Sequence, residues 1–261
     1  MKRWLLGVGL LLANLANAHA DIITQWNFNS SNTVASTGTG TAFLVGGVTA
    51  TFASGDASSG SSDPLVGGGD QAWNLSAAWN PTGSNLSQGA RFDVSTVGFQ
   101  DVTINWDLRQ SNSSSRFSAF EFSANGGNSW TTLTNPSLIT IGNASGTPAD
   151  IGGQVTAGGL MTRNTGDRWL NNNSVNLSSF AAVNNNANFS FRVVAAFDPA
   201  GNTFVRTDTG ASPIGNAGTW RFDMVTVNGV TAVPEPSSIA LLSLVGIGGF
   251  ALRRLRKGRA G

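Results

Sequence analysis

Residues 102–109 read VTINWDLR, and apolar and polar side chains alternate through this stretch without a break. The apolar positions recur at every second residue, which is the period of a β-strand and differs from the 3.6-residue period of a helix. A strand with this pattern buries one face and exposes the other. The stretch therefore predicts a half-buried strand whose inner face carries Val102, Ile104, Trp106 and Leu108.

The same alternation returns in other parts of the chain. Every second residue from 189 to 197 is apolar, and shorter runs rich in β-branched and aromatic residues lie at 22–28, 116–123 and 220–227. No helical period persists between them, and no repeat of fixed length indicates a solenoid or propeller. Many short strands with polar connections favour an all-β fold, and we predict a jelly-roll-like β-sandwich over residues 21–232.

The run Asn125-Gly126-Gly127-Asn128 lies between two of the predicted strands. Glycine adopts the positive φ angles that tight turns require without steric cost. A β-hairpin is therefore expected at this point.

The composition of residues 21–232 excludes several classes of function. This body has eight arginines, no lysine and thirteen acidic residues, so its formal charge is −5 and nucleic-acid binding lacks an electrostatic driving force. It has no cysteine and no tyrosine, and the single histidine, His19, precedes it. Thiol nucleophiles, histidine-based zinc sites and Ser-His-Asp triads are excluded, which leaves paired carboxylates as the remaining conventional route to catalysis.

The amino-terminal segment has the three parts of a secretory signal peptide. Lys2 and Arg3 precede an apolar stretch at residues 4–13, and the segment ends in Ala18-His19-Ala20. This small-residue pattern is the kind that signal peptidase cleaves. We predict that residues 1–20 are removed and that Asp21 becomes the mature amino terminus.

The carboxy-terminal segment has the layout of a membrane anchor. Residues 237–252 are uncharged and largely apolar, and as a helix they would extend about 24 Å. The cations that follow them are Arg253, Arg254, Arg256, Lys257 and Arg259. Because clustered cations resist translocation, we predict a single transmembrane helix with the tip in the cytoplasm and the body outside.

The four residues before this helix are Val233-Pro234-Glu235-Pro236, in which two prolines keep the backbone extended. With the apolar helix and the arginine-rich tip, this order resembles the PEP-CTERM sorting signal of Gram-negative bacteria over residues 233–259. The resemblance implies recognition by an exosortase, cleavage near the Pro-Glu-Pro motif, and delivery to the cell surface or the extracellular matrix. Residues 92–133 are also broadly similar to jelly-roll carbohydrate-binding modules.

Seven tryptophans lie in the body. Trp26, Trp106, Trp130 and Trp220 fall on strand patterns, so core packing is expected for them. The other three, Trp73, Trp79 and Trp169, stand among polar residues of predicted loops, and we predict that they contact a glycan.

Four acidic residues near glycines could hold a structural Ca²⁺, namely Asp56, Asp63, Asp70 and Asp223. No D-x-D-x-D-G loop accompanies them, so solvated loop carboxylates are expected and no cofactor is predicted.

Three classes of function remain. The favoured one is a non-catalytic surface or matrix protein associated with exopolysaccharide in a biofilm. The alternatives are a carboxylate-dependent glycan hydrolase, which needs two facing carboxylates about 5 to 10 Å apart, and a structural spacer or adhesin without a small ligand.

Overall fold

The computed structural model describes residues 19–56, 60–65, 68–76, 79–144, 153–208 and 214–232. The chain divides into two compact units, Met1–Thr231 and Ala232–Gly261. The predicted sorting motif, transmembrane helix and basic tip at residues 233–259 lie outside the described residues, as do residues 1–18 of the predicted signal peptide. Ala20 and Asp21, which flank the predicted cleavage point, are exposed and begin the first strand.

In the part of the chain that the structure describes, no helix has both the length and the apolar character needed to cross a bilayer. The helical segments there are two 3₁₀ turns, Pro136–Leu138 and Ala181–Val183. Sixteen strands make up the remaining regular structure of the described residues. The first eight are β1 (Ala20–Trp26), β2 (Thr37–Gly38), β3 (Gly40–Val45), β4 (Thr49–Ser54), β5 (Gln71–Ser76), β6 (Gly89–Val94), β7 (Phe99–Gln110) and β8 (Phe117–Ser123). The second eight are β9 (Thr131–Thr132), β10 (Ile139–Thr140), β11 (Asn143–Ala144), β12 (Gln154–Val155), β13 (Met161–Thr162), β14 (Arg168–Asn176), β15 (Phe189–Ala196) and β16 (Thr219–Thr231).

These strands form two antiparallel sheets. The nine-stranded sheet has the order β10-β14-β7-β16-β1-β2, with β11 paired to β14 and the β4-β5 hairpin joined to β16 through β5. The seven-stranded sheet has the order β12-β13-β8-β15-β6-β3, with β9 paired to β8. This arrangement confirms the predicted all-β sandwich.

The strand β16 holds the nine-stranded sheet together because it changes partner along its length. Its first part, Thr219–Phe222, pairs with β5, whereas Val225–Val230 pairs with β1. The change occurs at a β-bulge that follows Asp223, where Met224 has a φ of 46°. Bulges bend a strand and redirect its side chains, so this one sets the direction of the Asp223 side chain.

The core lies between the two sheets and is rich in aromatic rings. Trp106 of β7 stacks on Phe120 of β8 with ring centroids 5.9 Å apart, and Trp26 contacts Phe92 of β6 at 5.1 Å. The predicted inner face of β7 is buried throughout, since Val102, Ile104, Trp106 and Leu108 are at most 4% exposed. Period-two alternation thus placed the correct side chains in the core.

Candidate functional site

The outer face of the seven-stranded sheet carries a row of polar and aromatic side chains. In register, Glu121 of β8 lies opposite Arg192 of β15, Arg192 lies opposite Arg91 of β6, and Arg91 lies opposite Phe43 of β3. Successive side chains of a strand point to opposite faces of the sheet. Because Phe92 and Phe191 fill the core, their neighbours in sequence face outward and form this row.

Hydrogen bonds between charged groups fix the row. Arg192 donates through Nε to Glu121 Oε2 at 2.7 Å, and the Thr132 hydroxyl donates to Glu121 Oε1 at 2.8 Å. Arg91 donates to both carboxylate oxygens of Asp93, at 2.7 and 2.9 Å. The two-bond pair holds the Arg91 guanidinium in one orientation, and the bond to the buried Glu121 carboxylate positions Arg192, so both arginines are ordered before any ligand arrives.

The β8–β9 hairpin brings Trp130 over this row. The predicted turn is confirmed, with Gly126 and Gly127 at φ values of 70° and 84°. The Gly126 carbonyl accepts a hydrogen bond from Arg91 at 2.8 Å, which ties the turn to β6. The Trp130 ring lies 4.3 Å from the guanidinium carbon of Arg192 and 5.3 Å from that of Arg91. Contacts of this length are favourable cation–π interactions.

A shallow concavity of about 420 Å³ opens at this point. The side chains that matter for its chemistry are Phe43, Leu44, Arg91, Asp93, Trp130 and Arg192. Phe43 is 45% exposed and Trp130 is half-buried, so apolar surface is available beside donors and acceptors. A second depression, of about 270 Å³, shares Asp93 with the first. We call this region the Trp130 face.

The three tryptophans predicted to contact a glycan lie elsewhere and are buried. Trp73 belongs to β5 and is 3% exposed, Trp169 belongs to β14 and is fully buried, and Trp79 is 2% exposed. Trp73 stacks on Phe28 at 5.7 Å, and Trp79 packs against Trp220 at 5.0 Å. A buried ring has no free face for a sugar, so the structure does not support the predicted contacts. Polar neighbours in sequence misled the prediction because Trp73 and Trp169 lie on strands, where neighbouring side chains point to opposite faces of the sheet.

Trp130 is the functional candidate that the sequence did not reveal. Core packing was predicted for four tryptophans, and Trp26, Trp106 and Trp220 are indeed buried. Trp130 instead lies outside the strands, directly before β9, and remains half-buried. Its position just after a glycine-rich turn was the available signal. Its partners Arg91 and Arg192 are far away in sequence, so only the sheet register brings them together.

The acidic residues also differ from expectation. Asp63, Asp70 and Asp223 are buried and lie together, whereas Asp56 is half-buried. The prediction of solvated loop carboxylates is therefore wrong for the first three. Asp223 is a residue of β16 and not of a loop, and the segment between β4 and β5 covers it.

Comparison with known proteins identifies the carboxy-terminal segment. The family model of the PEP-CTERM protein-sorting motif matches residues 232–257, so the chain carries this motif as the sequence predicted. The motif implies an exported protein that is anchored through its carboxy terminus before processing. The chain is therefore an all-β sandwich protein with a PEP-CTERM sorting segment. No curated protein matches it.

Several solved structures show a broad likeness to the sandwich. The CBM22-1 xylan-binding domain of Paenibacillus barcinonensis Xyn10C is 12% identical with a TM-score of 0.44, and the alignment covers 84% of this chain and 100% of that domain. The CBM22-1–CBM22-2 tandem of the same protein is 13% identical with a TM-score of 0.45, over 86% of this chain and 49% of the tandem. The CBM22-1–GH10 modules of Clostridium thermocellum Xyn10B, complexed with xylohexaose, are 9% identical with a TM-score of 0.40, over 83% and 30% of the two chains. At these values the likeness identifies no ligand for this chain.

Proposed function

We propose that this chain is an exported, non-catalytic surface protein whose sandwich binds carbohydrate at the Trp130 face. One observation carries the proposal: a half-buried indole is held by two guanidinium groups beside an exposed phenylalanine and the Asp93 carboxylate. No other described tryptophan combines partial exposure with charged hydrogen-bonding neighbours of both signs.

The chemistry of a sugar ring matches this arrangement. A pyranose has a face of C–H groups, which packs on an aromatic ring, and a rim of hydroxyl groups, which donate and accept hydrogen bonds. Trp130 and Phe43 supply apolar surface, the arginines supply donors, and Asp93 supplies acceptors. Binding sites of this kind are mostly apolar, with a few polar groups that fix the orientation of the ligand.

Preorganisation favours binding at this face. Arg192 and Arg91 are already paired to Glu121 and Asp93, and both lie against the Trp130 ring. Side chains that are ordered beforehand lose little conformational entropy when a ligand binds. The face is open and shallow, which is suited to one side of an extended polymer.

The burial of Asp63, Asp70 and Asp223 supports a non-catalytic function. A two-carboxylate glycosidase needs an open cleft in which a sugar lies between its acid and its base or nucleophile. Among the described residues, the group of three acidic side chains that lie together is Asp63, Asp70 and Asp223, and each is at most 8% exposed. A sugar cannot reach between them.

The sorting segment determines where such binding would take place. We propose that signal peptidase releases Asp21 as the amino terminus, and that an exosortase-type enzyme processes the chain near Glu235. The body would then associate with exopolysaccharide at the cell surface or in the biofilm matrix. The mass of the mature protein from its host tests this part. A product that starts at Asp21 and ends near Glu235 is expected, and an uncleaved carboxy terminus in the inner membrane would contradict it.

Binding is tested with the full chain, exported and purified in mild detergent, by affinity electrophoresis through gels containing neutral or acidic polysaccharides. Trp130→Ala should weaken retardation by at least about tenfold, which corresponds to about 1.4 kcal/mol. Trp130→Phe should retain part of the binding because an aromatic face remains. Ile22→Ala removes a 48% exposed apolar side chain from the opposite sheet and should leave binding unchanged.

Retention of full binding by Trp130→Ala would place the ligand elsewhere and refute the proposed face. Absence of retardation on every polysaccharide would instead favour the structural spacer. The melting temperatures of the three variants show whether a loss of binding is caused by unfolding.

A further inference from the structure

Three carboxylates from two distant parts of the chain meet in the interior. Asp63 lies in the segment between β4 and β5, Asp70 directly precedes β5, and Asp223 lies in β16 at the bulge. One carboxylate oxygen from each lies within 4.8 Å of the others. Asp63 is 8% exposed, Asp70 is 1% exposed, and Asp223 is fully buried. We call this group the aspartate trio.

A surrounding framework of hydrogen bonds holds the trio in place. Asp107 of β7 lies opposite Asp223, and its carboxylate accepts backbone N–H groups from Ser62 and from Asn172, the latter at 2.7 Å. Asp107 thereby pins the segment that carries Asp63 against the sheet. Asp63 accepts the Leu65 N–H at 2.8 Å and the Asn29 side-chain amide at 3.0 Å. Both oxygens of Asp107 and of Asp63 thus have donors, and Asp223 Oδ1 accepts the Met224 N–H at 2.8 Å.

Two oxygens of the trio accept no hydrogen bond although they are buried. These are Asp70 Oδ1 and Asp223 Oδ2. Among the ion pairs of the described residues, none joins an arginine to a member of the trio. A buried carboxylate oxygen without a donor or a countercharge is costly. The three neighbouring carboxylates also repel one another when ionised, so the arrangement requires something that neutralises negative charge.

Either protons or a cation can provide that charge. Burial, together with the carboxylates of Asp63 and Asp56, raises the pKa of Asp70 to about 6. Burial raises the pKa of Asp223 to about 9, and the carboxylates of Asp70 and Asp63 act in the same direction. A bound cation would neutralise the repulsion among the three carboxylates and supply a partner to both unsatisfied oxygens.

We propose that Asp63, Asp70 and Asp223 bind one calcium ion, which fastens the segment between β4 and β5 to the centre of β16. The donor set consists of carboxylate oxygens, which hard cations prefer, and residues 21–261 contain no histidine or cysteine to favour a softer metal. Oxygens within 4.8 Å of one another can surround one ion, and only small side-chain shifts are needed to bring them to the roughly 2.3 to 2.6 Å typical of Ca²⁺.

Gly55 supports this geometry. A β-carbon at this position would lie 2.3 and 2.4 Å from the two carboxylate oxygens of Asp70. Only glycine therefore lets the Asp70 carboxylate occupy its present position. The Gly55 N–H also donates to the Asp70 carbonyl at 3.1 Å, which fixes the backbone of the two residues together.

The test uses the full chain after treatment with EGTA and removal of the chelator. Isothermal titration with Ca²⁺ should show one site per chain. At a free Ca²⁺ concentration about a hundred times Kd, the melting temperature should rise by roughly 5 to 10 °C. Asp70→Asn and Asp223→Asn should each abolish the binding heat and most of this rise. Asp101→Asn makes the same change at an exposed carboxylate near the start of β7 and should respond to Ca²⁺ like the unaltered chain.

These substitutions replace a buried carboxyl group that is costly to ionise with an uncharged amide of nearly the same size, so in EGTA the two trio variants should be at least as stable as the unaltered chain. Folding of the variants can thus be checked separately from metal binding. The proposal is overturned if Ca²⁺ gives neither heat nor a change in melting temperature, which would identify the trio as a proton-sharing cluster. It is equally overturned if both trio variants bind Ca²⁺ with unchanged affinity. Polysaccharide binding at the Trp130 face is measured separately and decides neither result.

Discussion

Replacing Arg192 by alanine should destabilise the fold far more than the same change at Arg91. Glu121, the partner of Arg192, is 4% exposed and would keep a single neutral donor, the Thr132 hydroxyl. Removal of one partner from a buried pair costs about 3 to 5 kcal/mol, because the other charge remains buried. Loss of the cation–π contact with Trp130 at 4.3 Å adds about 0.5 to 2 kcal/mol.

Arg91 provides the comparison within the same row. It and Asp93 are 26% and 29% exposed, so their pair contributes about 0 to 1 kcal/mol, and the contact with Trp130 at 5.3 Å contributes about 0.5 to 1 kcal/mol. Urea unfolding of the full chain should show a free energy of unfolding lower by at least about 3 kcal/mol for Arg192→Ala, and by less than about 2 kcal/mol for Arg91→Ala. Equal losses for the two variants would refute the assignment of Glu121 as a buried charge that depends on Arg192. The double variant Glu121→Met, Arg192→Met should recover most of the loss, since it removes both charges.

Two further predictions concern the aspartate trio and the hairpin. The raised pKa values of Asp70 and Asp223 mean that the folded chain binds protons that the unfolded chain has released. In EGTA, the free energy of unfolding should therefore fall as pH rises from about 4 to about 9. Asp223→Asn should make this dependence on pH weaker. A free energy of unfolding that rises with pH over this range would contradict the prediction. Gly127→Ala should weaken polysaccharide retardation, because φ is 84° and the new β-carbon would lie 2.5 Å from an Arg91 guanidinium nitrogen. Gly98→Ala is the control, because Gly98 has a similar φ of 83° but a β-carbon there would have no atom within 4 Å. This variant therefore carries only the backbone strain, about 1 to 2 kcal/mol. Equal loss of binding in both variants would count against a clash with Arg91 as the cause.

The strands were predictable because their information is local. Alternation at 102–109 and 189–197 identified β7 and β15, although β15 ends at Ala196, and the Asn125–Asn128 run identified the turn after β8. In each case the residues that decide the structure are close in sequence. The order of the strands within the sheets depends on pairings between distant segments, and no local pattern predicts them.

In the candidate sites too, sequence neighbours do not show what the tertiary structure decides. Trp73, Trp79 and Trp169 stand among polar residues but are buried, whereas Trp130 follows a strand pattern but is half-buried. Burial of a side chain depends on which loops and strands cover it, so neighbours in sequence are a poor guide to it.

The sequence by itself determined the sorting segment, the all-β class and the absence of histidine and cysteine from the body. These features depend on residue type and on short-range order, which folding does not change. The tertiary structure alone decided which indole lies beside arginines and which aspartates share a buried site. Both depend on sheet register, because register places Arg91 beside Arg192 and, by pairing Trp73 with Phe222, brings the start of β5 with Asp70 to Asp223. A shift of one residue in either pairing would turn those side chains to the opposite face.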